Sequence, residues 1–151
     1  MLVQQVIVAM NNQRSKLGNI PCEFEGVKFD SKWELEVYKV ITSIIPPNYV
    51  SIHQKVLIKP TTKNYRARYW RCDFAIRGNE GELFLLIEAK GIPTRDWLRQ
   101  LQLIDATEPS LIDKIRIVQT ESTKIDECFT SITIIQLHRE LEKLKELINN
   151  V

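Results

Sequence analysis

Arg71-Cys72-Asp73-Phe74-Ala75-Ile76-Arg77, Gly78-Asn79-Glu80-Gly81 and Glu82-Leu83-Phe84-Leu85-Leu86-Ile87-Glu88-Ala89-Lys90-Gly91 form one continuous stretch. Its outer segments are short, apolar and β-prone. The middle segment holds two glycines and an asparagine, residues that tolerate positive φ, so the stretch predicts a β-hairpin. Leu83 to Ile87 is apolar at every position, as in a strand buried on both faces. Yet this strand ends in Glu88 and Lys90. Side chains two apart on a strand share a face, so the carboxylate and the ammonium project together, and Asp73 on the paired strand lies within reach of both. A buried charge is costly unless it is paired or bound to metal. Two carboxylates held together favour a divalent cation, and hard oxygen donors suit Mg²⁺. Glu-x-Lys alone reads equally well as an ion pair at a strand end. The weight comes from its combination with Asp73 across a turn and a further acid on a helix.

Composition narrows the classes. A chain of 151 residues with 44% hydrophobic and 26% charged residues is expected to form one globular domain, residues 1–151, with a real core. No apolar run reaches membrane-spanning length, and the N-terminus lacks the basic region and small-residue cleavage site of a signal peptide. Cys22, Cys72 and Cys128 are odd in number and far apart, which reads as reduced thiols in a cytoplasmic protein. His53 and His138 are the only histidines. With no Cys/His zinc spacing, no P-loop and no Ser-His-Asp set, several enzyme classes fall away.

The net charge of +2 says little about partners, but its distribution says more. No acidic residue lies between Glu36 and Asp73, whereas Lys39, Lys55, Lys59, Lys63, Arg66, Arg68 and Arg71 do, with Tyr49, Tyr65, Tyr69 and Trp70 among them. A basic segment with interleaved aromatics is the footprint of a nucleic-acid surface; the competing account is a solvated basic face.

Outward from the hairpin, Leu2 to about Lys16 has the spacing of a short amphipathic helix. Glu23 to Phe29 is a tight hairpin or an irregular approach. Asp30 and Ser31 open a helix that runs to about Ile45 and stops at Pro46-Pro47. Ser31-x-x-Glu34 fits a capping box in which Glu34 bonds back to the cap amide. At 100° per residue Glu34 falls in the apolar arc beside Val37, Tyr38 and Ile41, while Glu36 falls on the polar side. Glu34 therefore either closes the cap or faces a site. Val50 to Ile58 is a strand with Gln54 interrupting its apolar face, read first as a satisfied core amide. Lys59 to Arg66 is a loop. Thr94 caps a second helix carrying Trp97, Leu98, Leu101 and Ile104. Ile112 to Thr120 is a fourth strand and Ile132 to Ile135 a short edge strand. Gln136 to Asn149 is a helix whose Leu137, Leu141, Leu144 and Ile148 pack on the sheet or form an oligomer contact, the sheet being favoured.

The order helix-strand-strand-strand-helix-strand, with Phe29-Asp30-Ser31-Lys32-Trp33-Glu34, Cys72-Asp73 and Ile87-Glu88-Ala89-Lys90-Gly91 on its successive elements, resembles the PD-(D/E)XK nuclease superfamily. The likeness covers about residues 24–120. It implies a restriction-endonuclease-like α/β core, a mixed central sheet flanked by helices, with extra N- and C-terminal helices. It departs in one place, where Cys72 replaces the loosely required proline; that position binds no metal in the superfamily. The resemblance further implies Asp73 and Glu88 as ligands of Mg²⁺, with Mn²⁺ as a substitute, Lys90 as the residue assisting the nucleophile, and Glu34 as an auxiliary catalytic acid.

Within the superfamily the whole chain looks like the small intron-encoded homing endonucleases. Double-stranded DNA is then the partner, with Lys55, Lys59, Lys63, Arg66, Arg68 and Arg71 along its path. A homo-oligomer, dimer or tetramer, is expected, because one small domain cannot span a long target and cut both strands. The alternatives are a junction resolvase or phage-type recombination nuclease on the same fold, or a non-catalytic DNA-binding module whose acids are ion-paired.

Overall fold

The computed structural model describes residues 19–149; the helix expected near the N-terminus lies outside them. Cys22–Phe24 (β1) and Val27–Phe29 (β2) form a small antiparallel hairpin. Its turn places Glu25 at φ 50° and Gly26 at φ 79°, the left-handed pair that a two-residue hairpin turn demands. Helix α1 follows over Lys32–Ile44, capped by the Ser31 hydroxyl, which accepts from the Glu34 amide at 3.1 Å. Val50–Lys59 (β3), Arg68–Arg77 (β4) and Leu83–Ala89 (β5) come next, then α2 (Arg95–Thr107), β6 (Ile115–Val118) and α3 (Ile134–Asn149).

The protein is α/β, with a mixed sheet in the order β3-β4-β5-β6. β3/β4 and β4/β5 are antiparallel; β5/β6 are parallel, joined by the crossover through α2. One face of the sheet packs against α1 and α3 through Val37, Ile41, Phe74, Ile76, Leu85, Ile87, Leu137 and Leu141. The other packs against α2 through Trp70, Cys72, Ala75, Leu86, Trp97, Leu101 and Ile104. The run Leu83 to Ile87 is apolar throughout because helices cover β5 on both sides. All four residues of the 137/141/144/148 seam are buried within the chain.

Some boundaries differ from expectation. The fourth strand covers only 115–118, because Pro109–Lys114 winds into a 3-10 turn before it. No edge strand forms over 132–135: Ile132 makes a single parallel bridge to Val118 and the chain turns helical at Ile134. Gln54 is not a core amide; it is half-buried and its side-chain NH₂ donates to the Lys55 carbonyl at the sheet edge.

The alternating pattern of β3 and β4 conceals a switch. Val50 and Ile52 lie with the α1/α3 core, whereas Val56 and Ile58 lie with the α2 core. On the partner strand Phe74 and Ile76 face α1/α3, whereas Trp70 and Cys72 face α2. A regular strand keeps residues of one parity on one face, so both strands turn over. They do so opposite each other, between the pairs Ile52↔Phe74 and Gln54↔Cys72, at His53 and Asp73. His53 marks the turn with φ 52°.

Candidate active site

Beyond that switch the sheet opens. β5 pairs with β4 only as far as Phe74↔Ile87, while β3 and β4 continue together to Lys59 and Arg68 as a two-stranded arm. The last residues of β5 remain paired with β6: Ala89 lies opposite Val118, and the Lys90 amide donates to the Val118 carbonyl at 2.9 Å. The intervening Ala89 amide points toward the departed β4. Asp73 fills the gap, and its Oδ2 accepts from the Ala89 amide at 2.8 Å. A backbone donor that a regular ladder would satisfy is thus satisfied by a carboxylate.

Glu88 projects on the α2 side and is only 7% exposed. Its Oε1 accepts from the Trp97 indole Nε1 at 3.1 Å. Its Oε2 is buried and has no hydrogen-bond partner among the described residues. Trp97 is fixed by the helix cap, its amide donating to the Thr94 hydroxyl at 3.3 Å. Lys90 sets its Nζ 5.1 Å from the centre of the same indole, within cation–π range. One tryptophan thus steers both charged residues of the Glu-x-Lys segment.

Glu34 is 2% exposed and Glu36 is exposed, as the helical arc predicts. Glu34 does close the start of α1, but one residue earlier than a capping box requires: Oε2 accepts from the Asp30 amide at 2.7 Å. Its other oxygen lies 2.6 Å from His53 Nε2. Asp30, Glu34 and His53 offer ligand atoms within 4.8 Å of one another; Asp30 is also paired with Arg71 at 3.0 Å.

The electrostatics bind these groups together. Burial pushes the Asp73 carboxyl up to about 9, and the charges of Glu88 and Glu34 add to it, against the Ala89 hydrogen bond and Lys90. Burial likewise raises Glu88 to about 7, opposed by Lys90, the Trp97 hydrogen bond and the nearby Asp73 amide, which lies outside hydrogen-bond geometry, and reinforced by Glu34. Burial, with Glu88 and Asp73 next, holds the Cys72 thiol well above its usual range. That thiol lies 3.3 Å from the carbonyl oxygens of both Phe74 and Ile87, which share its single S–H donor. Cys72 is therefore part of the strand junction and no nucleophile. Asp73 and Glu88, both largely buried and the latter with an oxygen that lacks a hydrogen bond, are hard oxygen donors of the kind that suits a divalent cation.

The arm carries the basic residues. Cross-strand pairs Lys55↔Arg71 and Leu57↔Tyr69 lie on the face that α1 and α3 do not reach, and all four side chains are exposed. Lys59 pairs with Arg68 across a bulge, and Lys63 and Arg66 sit at the exposed tip. Lys59 Nζ lies 5.8 Å from the ring of Tyr65, which is 71% exposed. The opposite face of the arm, Ile58 and Trp70, is buried against α2. Lys55 and Arg71 thus share one exposed face of the arm that ends at the Arg71–Asp30 pair, Arg68 has the parity of Trp70, and Lys63 and Arg66 stand in the exposed loop at the tip.

Asp73, Glu88 and Lys90 are brought together at the end of β5; Glu34 makes its contacts with His53 and the Asp30 amide, and Lys63 and Arg66 stand apart at the tip. Two neighbours escaped the reading of the sequence. Trp97 looked like an ordinary apolar position of α2; its signal was a tryptophan in the first turn directly after Glu-x-Lys. His53 carried no periodic signal, because its role follows from the strand switch. Comparison with protein-family models, with curated proteins and with solved structures finds no match. Among the described residues no helix is long and apolar enough to cross a membrane.

Proposed function

We propose that this chain is a Mg²⁺-dependent endonuclease that cuts double-stranded DNA, built on a restriction-endonuclease-like core and of the intron-homing kind. The observation that carries this reading is the bare, buried Glu88 Oε2 beside Asp73 at the opened end of the β4–β5 pair. A structural ion pair would have satisfied that oxygen. A cation bound there would supply the missing partner, neutralise charge on a phosphodiester and acidify a bound water.

The chain's own residues divide the remaining work. Asp73 and Glu88 would hold the cation, with the Ala89 carbonyl a further oxygen donor. Lys90, held over Trp97, keeps a positive charge beside the acids, where it can orient the attacking water and stabilise charge developing on the phosphate. Lys55, Lys59, Lys63, Arg66, Arg68 and Arg71 would hold the backbone of the duplex along the arm. Cutting both strands requires a second copy of the site, so the active species is a homo-oligomer, dimer or tetramer.

The test is direct. The protein is incubated with Mg²⁺ or Mn²⁺ and either linear duplexes carrying candidate intron-insertion sites or four-way junctions, and the ends are mapped. Double-strand breaks in the linear duplex, lost in Asp73→Asn, are expected. Preference for the junction moves the protein to the resolvase class. No cleavage of any DNA under Mn²⁺, or cleavage that Asp73→Asn leaves intact, would sink the enzyme reading.

A further inference from the structure

We infer that Leu57 and Tyr69 form an apolar pad on the β3–β4 arm that meets thymine methyl groups in the major groove of the duplex. The inference rests on the DNA reading proposed above and extends it from the phosphates to the bases.

The pad is a cross-strand pair. Leu57 lies opposite Tyr69, and Lys55 opposite Arg71. Residues two apart on a strand share a face, so these side chains form one strip, with about 7 Å between its apolar and its basic step. Ile58 and Trp70 are buried against α2, and the alternation of the strands turns Leu57 and Tyr69 the other way. Leu57 is 46% exposed and Tyr69 53%. A single exposed apolar side chain is ordinary. Here two are direct partners, and their exposed areas join into one patch.

The charge around the pad selects the occupant. The sequence has no acid between Glu36 and Asp73. Among the described residues Arg71 is the only one of the six arm cations in an ion pair. A second copy of the chain docked through the same strip would set Lys55 and Arg71 against their own equivalents, and like charges repel. The occupant is therefore a polyanion that offers apolar contact between its charges.

Duplex DNA meets both demands, and its shape fits. The major groove, about 12 Å wide, admits a two-stranded β-ribbon, whereas the minor groove, about 6 Å wide, is too narrow for one. The arm is such a ribbon, paired from Gln54↔Cys72 to Lys59↔Arg68. Leucine has no donor or acceptor, so it can recognise only the apolar group on the groove floor, the thymine C5 methyl. Tyr69 adds a ring face beside it, and Lys55 and Arg71 lie within reach of the flanking phosphates.

The experiment measures binding of the full chain in EDTA, by anisotropy, to two duplexes of equal length. One is alternating A·T; the other has every thymine replaced by uracil, which lacks only the methyl. Loss of one buried methyl costs about fourfold in affinity, so wild type should prefer the A·T duplex by at least that factor. Leu57→Ala and Tyr69→Ala should bind the two duplexes alike. Neither removes a charge, so both should keep the wild-type slope of log K against log salt. Lys55→Gln should do the reverse, losing about one unit of slope and keeping the preference. A wild type that binds both duplexes equally overturns the pad while leaving the DNA reading in place, and it does so without any variant. A preference that survives both substitutions also overturns the pad, because the methyl then acts through duplex shape. Substitutions that dissociate the wild-type oligomer in sedimentation place the pair at a subunit contact and overturn it as well. A wild type that binds neither duplex overturns the pad and the DNA reading together.

Discussion

Replacing Glu88 by glutamine should stabilise the metal-free protein while destroying the site. The folded-state pKa of Glu88 is raised from an ordinary 4.5 to about 7 by burial, with the Glu34 charge adding to it. Folding therefore favours the protonated carboxyl. The stability that protonation supplies is fully present below pH 4.5 and is lost as pH rises through about 7. A shift of this size corresponds to about 3 kcal/mol at about 1.36 kcal/mol per pKa unit. The Glu88→Gln substitution removes that cost at pH 8. It keeps an acceptor for the Trp97 indole but leaves an amide NH₂ where Oε2 had no partner, a loss of about 1–2 kcal/mol. The net gain is about 1–2 kcal/mol, or about 2–8 °C in melting temperature for a chain of this size.

The assay is thermal melting of wild type and Glu88→Gln in EDTA at pH 8 and at pH 4.5. The variant should melt higher at pH 8 and no higher at pH 4.5, where the wild-type carboxyl is already neutral. Saturating Mg²⁺ at pH 8 should raise wild type above its EDTA value and leave Glu88→Gln nearly unmoved, because a cation is held by ionised ligands. A variant that melts lower than wild type by the same amount at both pH values would refute the reasoning, since Glu88 would then be an ordinary satisfied core residue.

Other outcomes follow from the same geometry. Asp73→Asn and Glu88→Gln should each abolish cleavage while DNA affinity in EDTA stays within a few-fold of wild type, measured by anisotropy; near-normal cutting by either removes it from the site. Neutralising Lys63, Arg66 or Arg68 with glutamine should lower the slope of log K against log salt by about one for each cation that had faced a phosphate; unchanged affinity and slope in the triple variant would take the arm off the DNA. Glu34→Gln should slow single-turnover cleavage, whereas the exposed Glu36→Gln should leave it unchanged. If Glu34 serves only the helix start, Glu34→Gln will melt lower, by the about 0.5–2 kcal/mol typical of a missing cap, and cut at the normal rate.

Much of this arrangement was legible in the chain because local chemistry repeats at the right period. The Asn79-containing turn, with Gly81 at φ 83°, fixes the hairpin that sets Asp73 opposite the Glu-x-Lys strand. The helical arc separated Glu34 from Glu36 without any tertiary information. The limits of the C-terminal elements were harder to see, because Ile112 and Ile132 to Ile135 are as β-prone as true strand residues. Only the 3-10 turn after Pro109 and the helix starting at Ile134 decide their state, and both depend on packing.

The residues that escaped notice share one cause. Period-two reasoning assumes that a strand keeps its faces. In β3 the apolar even positions 50, 52, 56 and 58 are interrupted only by Gln54, and in β4 those at 70, 72, 74 and 76 run on, while the faces they occupy exchange at 53 and 73. Each half satisfies a different core, so the apolar parity is the same on both sides of the exchange, and Gln54 is its one mark in hydropathy. The exchange also makes the site. It frees the Ala89 amide for Asp73, gives the arm an uncovered face for its cations, and sends His53 to Glu34. A sheet that obeyed its alternation through these positions would pair Asp73 with Glu88 in an unbroken ladder, and the two acids would have no opening between them in which to share a cation.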